Sequence, residues 1–107
     1  MSDVDPNAQQ PEEMDFPLPP ATFSFLVLSM RAQCEMQLGL MNFGEEKYET
    51  NLELARHTID MLSILSEKTK GNLSLEEQRL LENSLTELRF RYVQVSDERS
   101  KSAGQKA

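Results

Sequence analysis

The chain has 107 residues, 38% of them hydrophobic and 27% charged, which is the profile of one small globular domain. Acidic side chains outnumber basic ones 18 to 11, so phosphate backbones repel the chain and nucleic acid is excluded as a default partner. Cys34 is the single cysteine, which rules out an internal disulfide and fits a reducing, cytoplasmic setting.

The charge is unevenly spread. Residues 1–50 hold nine acids against Arg31 and Lys47, whereas residues 51–107 hold nine acids and nine bases, so the net −7 sits in the first half. All five prolines (Pro6, Pro11, Pro17, Pro19, Pro20) fall in the first twenty residues, with five acids and no Lys or Arg. Such a segment cannot bury enough apolar surface to offset its ordering entropy, so residues 1–21 are expected to form a disordered acidic tail. It lacks the basic start and apolar core of a secretory signal.

Helical spacing begins after the prolines, and the domain is expected to span residues 22–98. Thr22 is the expected N-cap of a first helix running to about Met41, with Gly39 and Gly44 bracketing its end. The stretch Phe23 to Met30 has six hydrophobic residues in eight. Spanning a bilayer takes about 20 apolar residues, so this stretch is too short and a soluble protein is expected. Residues 42–47 read as a connection.

Thr50 and Glu53 have the spacing of a capping box at the start of a second helix. On that helix Leu52, Leu54, Ala55, Thr58, Ile59, Met61, Leu62 and Leu65 form an apolar face roughly 160–180° wide, broad enough for two neighbours. Lys68 and Lys70 complement the negative end of its dipole, and Gly71 offers the left-handed residue that ends it. Ser74 and Glu77 form a second capping box. The short turn Lys70, Gly71, Asn72 to Ser74 then forces an antiparallel hairpin. The third helix carries Leu81, Leu85, Leu88, Tyr92 and Val95 at 4-3-4-3 spacing, a coiled-coil-like seam, with Phe90 on the far side. Residues 99–107 have no periodicity and are expected to be a loose C-terminal tail.

The hairpin resembles a bacterial family catalogued as domain of unknown function eighteen forty-four. The resemblance rests on Ala55, Ile59-Asp60, Leu62, Leu65, the run EKTKGNL from Glu67 to Leu73, Glu77, Leu80-Leu81, Leu85, Leu88-Arg89 and Tyr92-Val93. The first helix, from Phe23 to Met30 and then Leu38-Gly39, is similar to that family's opening segment. The resemblance implies an uncharacterised helical protein and brings no activity, ligand or catalytic residue with it.

Little in the chain asks for chemistry. Lys68-Thr69-Lys70-Gly71 lacks the preceding glycine and strand of a phosphate-binding loop and reads as a capped helix end. Glu53, His57 and Asp60 share a helix side, but no second histidine exists, and Asp60 is better placed to pair with Arg56. Cys34 reads as a small buried hydrophobe, and Met30, Met36 and Met41 as packing residues. Arg89, Phe90 and Arg91 point about 100° apart on a helix and make no nucleic-acid patch, while Glu87 can pair with Arg91.

The expectation is therefore an all-α, three-helix interaction or scaffold protein without cofactor, metal or catalytic site. Its apolar flanks, at Phe23, Leu26, Val27, Met30 and Phe90, would be covered by a second copy in a homo-oligomer, a dimer in the first instance, or by another helical protein. The alternative is peripheral membrane association through residues 23–30, against which the scarcity of nearby bases counts.

Overall fold

The computed structural model describes residues 17–40, 42–43, 46–47 and 49–106. Three helices dominate: α1 (Phe23–Gln37), α2 (Leu52–Lys68) and α3 (Leu75–Lys106). A two-residue antiparallel ribbon, β1 (Asn42–Phe43) with β2 (Glu46–Lys47), sits in the α1–α2 connection, with Asn42 opposite Lys47 and Phe43 opposite Glu46. The fold is all-α, as expected. Most of the acidic tail lies outside the described residues, as does Gly44; residues 17–22 are exposed and without regular structure.

Each helix end has a local cause. Thr22 caps α1, its hydroxyl accepting from the Phe25 N–H at 3.0 Å. The helix stops four residues short of Met41 because Gly39 takes φ +77. The Leu40 N–H then reaches the Glu35 carbonyl and the Gly39 N–H the Met36 carbonyl, both at 2.9 Å, which is a Schellman motif.

The start of α2 differs from expectation. Asn51, not Thr50, is the N-cap, with its side-chain oxygen accepting from the Leu54 N–H at 3.1 Å. Asn is as good a cap as Thr, and the shift frees the Thr50 hydroxyl to donate to the Leu38 carbonyl at 3.4 Å. The Asn51 N–H donates to the Gln37 carbonyl at 2.7 Å, so the unpaired carbonyls ending α1 are closed by the residues that open α2.

The hairpin turn forms as read, with one adjustment. Thr69 is the C-cap of α2, and Gly71, at φ +83, is the third residue of a turn closed by the Asn72 N–H on the Thr69 carbonyl at 2.9 Å. Lys70 therefore lies beyond the last helical turn, where Lys68 remains. The Ser74 capping box is complete: the Ser74 N–H donates to Glu77 Oε1 at 2.8 Å and the Glu77 N–H to Ser74 Oγ at 3.1 Å. Leu73 is half-buried against the core.

All three helices touch one another, and the core lies between them. It comprises Val27, Cys34 and Leu38 from α1 and its cap, Ala55, Ile59 and Leu62 from α2, and Leu81, Leu85 and Leu88 from α3. The seam on α3 is thus buried as its spacing predicts, with Tyr92 and Val95 half-buried at its end. Cys34 and Ala55 bring α1 and α2 close, the thiol donating to the Ala55 carbonyl at 3.6 Å. Thr58, also buried, donates to the Gln37 side-chain oxygen at 2.7 Å, with the Leu54 carbonyl at 3.1 Å as the alternative acceptor.

α3 continues to Lys106, through the stretch where a loose tail was expected from residue 99. Apolar periodicity reports packing rather than helicity, and Ser100, Lys101 and Ser102 are exposed helical residues. No proline interrupts them.

Candidate interaction surface

Residues that leave the core and stay apolar define the surface of interest. On α2, Leu54, Met61 and Ile64 are 49%, 45% and 55% exposed; Leu54 and Met61 belong to the broad face that buries Ala55, Thr58 and Leu62, and Ile64 lies about 60° beyond Met61. At about 100° per residue they form the edge of that face turned past α1. On α1, Leu26 and Met30 stand on the side turned to this edge. Together Leu26, Met30, Met61, Ile64 and Leu65 line an open groove of about 280 Å³ between the two helices, with Lys68 at its lip.

The groove continues along the same seam. A second depression of about 460 Å³ is lined by Gln33, Met36 and Gln37 of α1, with Glu49, Thr50, Asn51 and Leu54 at the start of α2. The two lining sets contain a single cation, Lys68, at one end, and a single anion, Glu49, at the other.

The residues expected at the interface do not come together. Val27 is fully buried in the core and is withdrawn from the set; a side chain with no exposed surface has nothing left to offer a partner. Phe23 is half-buried against the core, and Phe90, 63% exposed, lies on the outer side of α3, away from Leu26 and Met30. The residues that join Leu26 and Met30 are instead Met61, Ile64, Leu65 and Lys68. For Met61 and Leu65 the signal was the excess width of the apolar face on α2, which exceeds what α1 and α3 cover; Ile64 and Lys68 lay outside that face.

Other candidates resolve into structural roles. The Cys34 thiol is pushed up from its ordinary 9.0 to about 11, first by burial and then by the nearby Glu35 carboxylate, so it stays protonated at neutral pH. The Ser74 capping box places the Glu77 carboxylate on the helix N-terminus, where a small anion would otherwise sit. Among the described residues no group of three or more His, Cys, Asp or Glu side chains stands together as a metal site.

Arg89 donates to Ser63 Oγ at 3.3 Å across the hairpin and Arg91 to Glu87 at 3.3 Å along its own helix, so the two cations serve different neighbours. Asp60 makes no ion pair with Arg56 among the described residues; both line a shallow depression with Ile59, Arg89, Tyr92 and Val93. No helix among the described residues is long and apolar enough to cross a membrane.

Neither the curated proteins nor the solved structures contain a match to the chain. A family model does match, over residues 20–94, which takes in α1, the ribbon, α2 and most of α3. The chain belongs to the family described as Domain of unknown function (DUF1844).

Proposed function

We propose that this protein is a helical interaction module that self-associates, acting in the cytoplasm as a scaffold without catalysis. The observation that carries this reading is the apolar groove between α1 and α2, charged only at its Lys68 lip, in a chain of which 27% is charged. Contiguous apolar surface of this kind, bounded by polar residues, is the usual mark of a protein–protein contact. A core of nine buried hydrophobic residues among the described residues is also small, and small domains commonly gain stability by assembly. Sedimentation equilibrium from about 1 to 100 µM tests the reading, with a reversible rise in mass expected. A monomer throughout that range would refute it.

A second reading draws on Phe25, Leu26 and Leu28, all exposed at the start of α1. Such a cluster could dip into a lipid interface, although Arg31, the one base on α1, is already engaged by Glu35 and Glu87. Co-flotation with anionic liposomes, comparing the full chain with Phe25→Ser/Leu28→Ser, separates the two. Equal recovery of both proteins would remove the lipid reading.

A further inference from the structure

Resting on the self-association reading, we propose that the groove between α1 and α2 is filled by α1 of a second copy, laid antiparallel across a two-fold axis. The argument is one of self-complementarity. α1 rises and α2 descends, so the seam between them has a defined polarity: Leu26 lies beside Lys68 at one end, and Gln37 beside Glu49 and Asn51 at the other. Between these ends the lining is apolar or uncharged, with Met30, Met61 and Leu54 along it.

A two-fold axis through the middle of such a seam inverts its polarity. The Lys68 end of each copy then falls against the Glu49 end of the other, giving two equivalent cation–anion pairs, while the methionines and leucines of both copies meet between them. A parallel arrangement would instead bring Lys68 to Lys68 and Glu49 to Glu49. Because each chain carries −7 overall, two copies repel at a distance, and an approach along a seam with no net charge is the one that avoids local repulsion. The dimensions also agree. From Leu26 to Gln37 the seam is about 17 Å long at 1.5 Å per residue, which three turns of a helix fill.

α1 suits the role of occupant. Its charged residues, Arg31 and Glu35, pair with each other at 3.5 Å, and Arg31 is drawn toward α3 by Glu87, so both face away from the seam. What remains beside the groove is Leu26 with Met30, Gln33 and Met36, the last three flexible, unbranched side chains that admit a second helix.

The test uses the full chain in sedimentation equilibrium, with circular dichroism as the folding control. Met61→Glu, at an exposed position, should leave helicity unchanged and weaken dimerisation roughly a hundredfold. Lys68→Glu and Glu49→Lys should each weaken it roughly tenfold, and the double swap should restore it, with the effect shrinking in high salt. Phe90→Ala, on the far side of α3, should change nothing. If the native chain dimerises but Met61→Glu dimerises equally well, or the double swap fails to rescue, this arrangement is wrong while self-association stands. If the native chain is monomeric, both fall.

Discussion

Arg31 on α1 reaches across to Glu87 on α3, and among the described residues this is the one ion pair that joins two helices. Glu87 serves two cations: its other oxygen is held by Arg91 at 3.3 Å, one turn further along α3. Their side chains are between 25% and 41% exposed, so water screens the attraction. Glu87→Gln should therefore cost only about 0.5–1 kcal/mol, and a double-mutant cycle with Arg31→Met should return a coupling below about 1 kcal/mol that diminishes in salt. Urea denaturation at two salt concentrations measures it; a coupling of several kcal/mol would show a pair shielded from solvent.

The division between core and groove can be read by truncation. Leu62→Ala and Leu88→Ala, at fully buried positions on α2 and α3, should each destabilise the fold by about 2–5 kcal/mol in urea. Ile64→Ala, at a position 55% exposed, should change monomer stability by about 0.5 kcal/mol or less. Comparable losses at Ile64 and Leu62 would mean that the groove is sealed within one chain.

Ser84 offers the opposite sign. Its hydroxyl is fully buried among the leucines of α3 and finds no hydrogen-bond partner. Removing an unsatisfied buried hydroxyl relieves its desolvation cost, so Ser84→Ala should raise stability by about 1 kcal/mol. A drop in the thermal midpoint would show that the hydroxyl does have a partner in solution.

Gly71 isolates a backbone effect. A Cβ there would meet nothing within 4 Å, yet φ is +83, so Gly71→Ala should cost about 1–2 kcal/mol through conformation alone. Gly71→Asn should cost less, because Asn tolerates the left-handed region. Equal losses for the two variants would point to crowding instead.

Cys34 makes stability depend on alkaline pH. The unfolded thiol ionises near 9.0 while the folded one holds its proton to about 11, so the folded state binds more protons across that window. Stability must then fall as pH rises from about 9 to about 11, and the fall should vanish in Cys34→Ala. Alkylation by iodoacetamide at pH 8 should likewise be slow until urea is added.

How much of this was legible in the residues can be judged helix by helix. The seam Leu81, Leu85, Leu88 and the capping box Ser74–Glu77 were readable because each depends on spacing within one element. The choice between Thr50 and Asn51 as cap was not, because it was settled by the Leu38 carbonyl, which only the tertiary fold brings near Thr50. The interface set failed at Val27 for a related reason: α1 is apolar on nearly every side, so its pattern could not say which side the hairpin takes. The edge of α2 at Met61 and Ile64 became visible only once α1 was seen to cover the residues beside it.

The unequal lengths of the hairpin arms have a dynamic consequence. α3 has 32 residues against 17 in α2, about 48 Å against about 26 Å at 1.5 Å per residue. The bond from Arg99 to the Thr50 carbonyl, at 3.3 Å, is the last hydrogen bond from α3 to the rest of the molecule among the described residues. A peptide of seven residues does not hold a helix in water on its own, so the final turns exist because the body nucleates them. Amide deuteration should accordingly advance from Lys106 inward as a graded front, slowing sharply near Arg99, with the amide of Leu88 exchanging only when the whole molecule opens.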